Sequence, residues 1–201
     1  NSLSYLVISL FTIAAFHEET SKSKFLLPIL ASLVFLTRYD FLLIISPALI
    51  YYIYKNGITK GFVLMSIIIS CWFIFSFIYF GSIFPNSFYI KARGFNLHQS
   101  LFYFKKNIFE SPKMFILLAL GFYSSYHINK RIFVGMVCYF CYIFMVKDYM
   151  FGRLFTILVP IAVISVIQYI SMHGILDEKN KNFLKASFAT VIISVIVYFV
   201  P

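Results

Sequence analysis

The chain has 201 residues, of which 61% are hydrophobic and only 12% are charged, and its mean hydropathy is +0.89. Water-soluble domains carry about twice that proportion of charged residues, so the composition excludes a soluble globule and indicates an integral membrane protein. The formal net charge is +10. Its lysines and arginines are scattered among short turns, which favours anionic membrane lipids over nucleic acid as the partner.

Eight apolar segments follow one another and predict an all-α, polytopic bundle of transmembrane helices, forming a single domain over residues 1–201. They are Leu3–Phe16, Phe25–Thr37, Phe41–Tyr54, Gly61–Phe80, Met114–His127, Ile132–Val146, Leu154–Met172 and Phe183–Val200. A full span needs about 20 residues, a length that the fourth, seventh and eighth segments meet. The chain starts at Asn1 with neither a methionine nor a basic leader, so we expect a piece of a longer protein, truncated at its N-terminus.

The stretch Phe25–Tyr54 allows two alternatives. One continuous helix would be about 45 Å long, against about 30 Å of hydrocarbon. It would also place Arg38 and Asp40 near mid-membrane, at about 2.5–3.5 kcal/mol each. A hairpin of two short helices brings both charges to an interface instead, and we favour the hairpin.

With the hairpin, the turns alternate between two faces. HEETSKSK, KNGITK, HINKR and LDEKNKNFLK fall on one face, and TRYD, Gly81–Lys113 and KDYMFGR fall on the other. The first face carries nine lysines and arginines and the second carries eight, so the positive-inside bias is weak. We place the second face outside, because its charges are concentrated in three unusual motifs.

Two further expectations concern helix geometry. Gly81–Lys113 is expected to be the only long non-helical segment, although its YFKKNIF stretch, with Lys105 and Lys106, looks like an amphipathic interfacial element. Pro160 is expected to kink the seventh segment, because proline removes a backbone hydrogen bond.

The first motif, TRYD, places Arg38 and Asp40 two residues apart at the tip of a turn. A guanidinium can bind phosphate through two parallel hydrogen bonds, and the acid could orient it or take part in proton transfer. The alternative is a mutual salt bridge that stabilises the turn.

The second motif is FGSIFPNSFYIKAR, in which Gly81 and Pro85 predict a turn. Asn86, Tyr89 and Lys91 supply an amide, an aromatic face and a cation, a mixture suited to a sugar or a phosphate. The alternative is the ordinary enrichment of such residues at membrane interfaces.

The third motif is KDYMFGR, in which Asp148 lies between Lys147 and Arg153. The acid could be a general base, a metal ligand or an ion-paired strut, while the two cations could simply anchor the helix ends in the headgroup layer.

The remaining reactive side chains give weaker signals. The four histidines have no metal-ligand spacing, so no metal site is predicted. Cys71, Cys138 and Cys141 lie inside apolar runs, and we interpret them as buried small hydrophobic residues.

The three motifs, in this order, resemble those of a family of multi-pass bacterial glycosyltransferases. LTRYD is similar to its Leu-Thr-Arg-Pro-Glu/Asp turn, and FGSIFPNSFYIKA to its Phe-Gly-x-Pro-x-Pro-Asn-(Ser/Thr)-x-x-x-Lys stretch. KDYMFGRLFTILVP resembles its Gly-Gly-Asp-x-Met-x-x-Arg-x-x-x-Pro-x-x-Pro segment. The family is that of the mycobacterial terminal arabinofuranosyltransferases, within the GT-C class. The resemblance extends over Phe25 to Pro160, and Tyr39, Ile83 and Val146-Lys147 depart from it.

The resemblance implies transfer of a sugar from a polyprenyl-phosphate carrier to an acceptor hydroxyl. The acceptor would be a glycan, lipid or protein at the outer face of a bacterial cytoplasmic membrane, in the cell envelope. By position, the resemblance assigns substrate binding to six residues, and Tyr89 joins them as an aromatic face. The six are Arg38, Asp40, Asn86, Lys91, Asp148 and Arg153.

In that family the catalytic base is an acid in the first outer loop, so we expect the base upstream of Asn1 and assign no catalytic residue within this chain. A divalent cation is left open as a cofactor. The alternative function is a multi-pass transporter or lipid flippase that handles an anionic substrate with the same cations.

Overall fold

The computed structural model of the chain describes residues 2–17, 21–82, 97–145 and 151–173. Within these ranges the regular structure is entirely helical, with no strand. The α-helices are α1 (Ser2–Phe16), α2 (Ser21–Thr37), α3 (Leu42–Asn56), α4 (Lys60–Phe80), α5 (Leu97–Glu110), α6 (Pro112–Ile128), α7 (Lys130–Met145), α8 (Phe151–Thr156) and α9 (Leu158–Met172), and a 3-10 turn occupies Tyr39–Phe41.

The predicted apolar segments correspond to these helices, except that Phe183–Val200 lies outside the described residues. Two helical stretches, Lys60–Phe80 and Leu154–Met172, are long and apolar enough to cross a membrane. The second stretch is divided between α8 and α9 at Ile157. Pro160 accounts for the division, because it has no N–H to donate to the carbonyl of Thr156.

Helix α4 is apolar on every side, yet most of it is not covered by protein. Its mean hydropathy is 2.4 and only 17% of its apolar window is buried. Phe77 and Ile78 are among its exposed large side chains. A helix that is hydrophobic all round needs an apolar environment, and lipid would supply it along this surface.

The predicted hairpin is present. Helix α2 ends at Thr37, Arg38 is extended, and the 3-10 turn leads into α3. The carbonyl of Phe25 lies against Gly61, and the ring of Phe35 lies 5.7 Å from that of Phe73. Helices α2 and α4 therefore run side by side in the same direction, and α3 returns the chain between their opposite ends.

Close contacts fix the direction of the second half of the bundle. Gly135 of α7 lies against the carbonyl of Ile44, while the guanidinium of Arg131 stacks 3.3 Å from the ring centre of Tyr51. These two contacts make α3 and α7 antiparallel. The hydroxyls of Ser125 and Ser165 hydrogen-bond at 2.8 Å, and α9 runs parallel to α6 along that seam.

Helix α1 closes the bundle by touching both of its ends. The Tyr5 hydroxyl lies 2.8 Å from that of Thr156, and Asn129 donates an amide hydrogen bond to the Ala15 carbonyl at 3.3 Å. We call the end that contains Asn129, Gly57 and His17 the Asn129 end. The opposite end, with Arg38 and the C-termini of α4 and α7, is the Arg38 end.

Where the turns fall within or between described helices, their predicted alternation agrees with these ends; LDEKNKNFLK lies outside the described residues. The turns that precede α4 and α7 lie at the Asn129 end, and TRYD lies at the Arg38 end. The chain leaves α4 at Gly81 and enters α6 after Ser111, both at the Arg38 end. Of KDYMFGR, residues 146–150 lie outside the described residues, but α7 ends and α8 begins at the Arg38 end.

Two expectations were wrong. The segment Gly81–Lys113 is not non-helical throughout, since α5 occupies Leu97–Glu110. Its apolar residues recur with helical spacing, which stabilises a helix that packs on one face only. The cysteines Cys71, Cys138 and Cys141 are exposed rather than buried, because they lie on outward surfaces of α4 and α7, where an apolar side chain is suited to lipid.

The contact between α3 and α7 generates the first prediction. A Cβ at Gly135 would overlap the Ile44 carbonyl oxygen, a backbone atom that cannot move aside alone. Overpacking costs about 1–3 kcal/mol, more than the roughly 1 kcal/mol that alanine gains over glycine in a helix. Gly135→Ala should therefore lower the unfolding temperature of the detergent-solubilised protein by several degrees, measured by fluorescence-detected size exclusion after heating.

The control is Cys138→Ala, on the same helix but exposed. It should unfold at nearly the wild-type temperature. Equal unfolding temperatures for the two variants would contradict the close approach of α3 and α7.

The two ends of the bundle generate the second prediction. Ile58 and Ser111 are both exposed in turns, at the Asn129 end and the Arg38 end respectively. In a background with the three natural cysteines changed to alanine, Ile58→Cys and Ser111→Cys should react with a membrane-impermeant maleimide from opposite sides of sealed vesicles. Labelling of both from one side would contradict the arrangement.

Candidate functional site

Arg38 and Asp40 form a two-pronged ion pair in the turn between α2 and α3. The Arg38 Nε donates to Asp40 Oδ1 at 2.9 Å, and Nη2 donates to Oδ2 at 2.6 Å. The two side chains are only 25% and 13% exposed. The extended backbone of Arg38 (φ −158°) lets the guanidinium reach forward to an acid two residues on. The salt bridge considered for TRYD is therefore formed.

A tyrosine from α7 completes this cluster. The Tyr139 hydroxyl donates to Asp40 Oδ2 at 3.2 Å, and its ring meets Phe41 edge to face at 6.2 Å. The Phe41 ring also lies 5.2 Å from the Arg38 guanidinium carbon, within the range of a cation–π contact. Tyr139 and Phe41 are fully buried, so they fix the pair from the core side.

Nothing in the sequence marks Tyr139 as a residue of a functional site. The chain contains 15 tyrosines, and this one lies in an apolar helix with no charged neighbour. Only the antiparallel packing of α3 and α7 brings it to the carboxylate. Residues that meet through tertiary packing leave no local pattern from which they could be found.

Helix α4 holds the turn from the other side. Trp72 donates its indole N–H to the Tyr39 hydroxyl at 2.7 Å. Phe35 packs edge to face against Tyr39, with ring centres 5.0 Å apart. Tyr39 stands where the resembling family has proline, and here it gives the turn a hydrogen bond that proline could not make. The cluster of Arg38, Asp40 and Tyr139 is thus clamped between α4 and α7.

The cluster is recessed from the end of the bundle. Trp72, whose indole N–H reaches the Tyr39 hydroxyl, is followed by eight more residues of α4, about 12 Å of helix at 1.5 Å per residue. Tyr139 is followed by six more residues of α7, or about 9 Å. Arg38 and Asp40 therefore lie inside the ends of α4 and α7, where their side chains are half-buried.

The structure does not describe the side chains of the other predicted binding residues. Asn86, Tyr89, Lys91 and Asp148 lie outside the described residues. Arg153 belongs to α8, directly before two buried residues, Leu154 and Phe155. Gly81, by contrast, has the left-handed backbone (φ 67°) that a turn at this point requires, and it closes α4 by a hydrogen bond to the Phe77 carbonyl.

Metal ligands are not grouped in the part of the chain that the structure describes. No three His, Cys, Asp or Glu side chains there come together in a way that could hold a metal ion. What the described cluster offers is one guanidinium, fixed in direction by a carboxylate and a tyrosine.

Comparisons with known proteins add no relative. No protein-family model matches the chain, and neither the curated proteins nor the solved structures searched give a significant match. The resemblance of the three motifs to the arabinofuranosyltransferase family therefore stays a prediction.

The geometry of the ion pair generates the third prediction. Removing one partner of a fully buried pair costs about 3–5 kcal/mol, because it leaves an uncompensated charge, whereas removing both often costs much less. This pair is 25% and 13% exposed, so the same asymmetry is expected at a smaller size. Arg38→Met should therefore destabilise the solubilised protein more than the double variant Arg38→Met/Asp40→Asn does. Thermal unfolding of the wild type, both single variants and the double variant measures this coupling.

The control is the exposed pair of Lys106 and Glu110, whose charged atoms are 3.6 Å apart. Exposed pairs contribute little, so Lys106→Gln and Glu110→Gln should be nearly additive. Additive effects at Arg38 and Asp40 as well would contradict a strongly coupled, recessed pair.

Proposed function

We propose that the chain is a multi-pass membrane protein and the membrane portion of a glycosyltransferase that uses a polyprenyl-phosphate sugar as donor. The observation that carries the proposal is the recessed Arg38–Asp40 pair. It lies among apolar helices, at the end of the bundle where the chain also enters and leaves the other two motifs. The order of the three motifs supports the same reaction.

The cost of such a pair argues for a role beyond stability. Buried ion pairs add little net stability, and replacing both partners with apolar residues is often neutral or stabilising. Ionisable groups recessed in a membrane protein are expensive and mark functional sites by default. In an apolar chain with 12% charged residues, a half-buried guanidinium held in one direction suits an anionic ligand.

The described geometry suits a lipid phosphate. Hydrogen bonds to Asp40 use Nε and Nη2 of Arg38, which leaves Nη1 for a phosphate oxygen. Arginine stays charged at every physiological pH. Asp40, held by both oxygens, orients the guanidinium, and Tyr139 orients Asp40. The guanidinium can then act without reorganising as charge develops, which is the basis of electrostatic catalysis.

In the proposed reaction, the acceptor hydroxyl loses its proton to a base and attacks the anomeric carbon. The bond from that carbon to the lipid phosphate oxygen breaks, and the phosphate leaves with the electron pair. Arg38 stabilises the leaving phosphate, together with Lys91 and Arg153. Asn86 and Tyr89 contact the sugar, and Asp148 supports the cations. The base is not assigned to any residue of this chain.

The fourth prediction tests this function with the full protein reconstituted in vesicles. Incubation with polyprenyl-phosphate sugars and acceptor glycans should give transfer, measured as radiolabelled product. Arg38→Lys keeps the positive charge but loses the planar guanidinium with its paired N–H donors. Arg153→Ala removes a cation proposed to lie at the leaving phosphate. Each should lower kcat by at least about tenfold, since removing one such donor typically costs 10²–10³.

The control is Arg131→Lys, which makes the same chemical change at the Asn129 end, where Arg131 stacks on Tyr51. Its kcat should stay near the wild-type value. Full activity of Arg38→Lys would overturn the assigned role of Arg38. Movement of the lipid donor across the bilayer without any transfer would instead establish the flippase alternative.

A further inference from the structure

Helix α5 is docked on the bundle by one face. Ser100 donates a hydrogen bond to the carbonyl of Phe144, at the C-terminus of α7, at 3.1 Å. The ring of Phe104 lies among four other phenylalanine rings from α6, α7 and α8, with centres 5.2–5.9 Å away. Those rings belong to Phe115, Phe140, Phe144 and Phe155. The helix is therefore fixed at the Arg38 end.

The opposite face of α5 combines two aromatic and two basic side chains. Phe102 and Phe109 are seven residues apart, so they lie on one line along the helix. They are 62% and 85% exposed. At 100° per residue, Lys105 and Lys106 fall on either side of that line, and both are exposed. Two phenylalanines thus project outward between two lysines.

Exposure of this face of α5 to water is energetically unfavourable. Burying a phenylalanine side chain gains about 1.5–3 kcal/mol relative to leaving it exposed. A helix with such an aromatic line flanked by lysines is typical of one that lies in the membrane surface, with apolar side chains in the acyl boundary and cations at the phosphates. Its position at an end of the bundle, rather than between the ends, agrees with that placement.

The two lysines of α5 favour binding to a membrane surface that is anionic. Lys106 is 3.6 Å from Glu110, but both are more than half exposed, and such pairs are weak. Lys105 has no charged partner among the described residues. The whole chain carries a net charge of +10, which attracts an approaching phosphate.

We propose that α5 lies on the membrane surface at the Arg38 end and binds anionic lipid headgroups there. Phe102 and Phe109 insert into the bilayer, and Lys105 and Lys106 contact the headgroup phosphates. This inference rests on the proposed membrane placement and not on sugar transfer, so it stands or falls separately from the reaction.

The fifth prediction tests this surface on the full chain, with the three natural cysteines changed to alanine and Phe109→Cys carrying an environment-sensitive fluorophore. In vesicles of phosphatidylcholine mixed with phosphatidylglycerol, the emission should be blue-shifted, as for a buried label. A nitroxide on the phosphatidylglycerol headgroup should quench it several-fold more than one on phosphatidylcholine, since a lysine near the surface contributes about fivefold to anionic-lipid affinity.

The variant Lys105→Gln/Lys106→Gln should bring the two quenching efficiencies close together. The control Lys55→Gln/Lys60→Gln removes the same charge at the Asn129 end and should leave the ratio unchanged. Emission typical of water, or shielding of the fluorophore from both lipid nitroxides as beneath a protein partner, would overturn the proposal. Equal quenching by the two lipid nitroxides in the wild type would contradict the proposed preference of α5 for anionic lipid. None of these readouts depends on enzymatic activity.

Discussion

The double hydrogen bond between Arg38 and Asp40 is the interaction on which the rest of the architecture depends. Neither charge could lie within an apolar bundle alone, because an unpaired ion there costs several kcal/mol. Their pairing requires an extended residue at Arg38, and that residue ends α2. The chain can then reverse through α3 and return along α2 as α4. The extended residue thus separates α2 from α3, and α4 and α7 contact the turn from opposite sides.

Close approach of backbones holds the remaining helices together. Gly121 faces Ala162, Gly135 faces the Ile44 carbonyl, and the hydroxyls of Ser125 and Ser165 are hydrogen-bonded. Small residues and interhelical hydroxyl bonds are the means by which helices associate where lipid is as apolar as the protein. Large aliphatic side chains such as Ile8, Leu27 and Ile45 fill the core between these contacts. The packing is therefore consistent with the composition, which allows little polar surface.

Hydropathy and charge predicted most of the fold. Each apolar run within the described residues became a helix, and the cost of burying Arg38 and Asp40 correctly separated α2 from α3. The exposure of Cys138 could not be predicted, because in an apolar helix the lipid-facing and protein-facing sides have the same composition. Helix α5 was anticipated only as the amphipathic stretch YFKKNIF, because hydropathy averaged over a window dilutes an amphipathic pattern and left the rest of the helix unassigned.

The same distinction between local pattern and tertiary packing applies to the residues of the candidate site. The sequence identified Arg38 and Asp40, since two charges in an apolar run are visible without any structure. It could not identify Tyr139 or Trp72, which reach the turn only because α7 and α4 pack on either side of it. The residues predicted around Asn86 and Asp148 lie outside the described part of the chain, so their assignment still rests on the motifs alone.

The two cationic features at the Arg38 end differ in depth, and that difference constrains any lipid ligand. Lys105 and Lys106 are exposed on α5, whereas the Arg38 side chain is only 25% exposed in the turn between α2 and α3. A phosphate at the membrane surface would meet the lysines first, where binding is weak and shared with water. It would then exchange those contacts for a guanidinium already oriented by Asp40 and Tyr139. Exposed lysines suit capture because their long side chains adapt, and a clamped arginine suits positioning because it does not. The chain thus supplies both kinds of cation at one end, in the order in which an anionic lipid would need them.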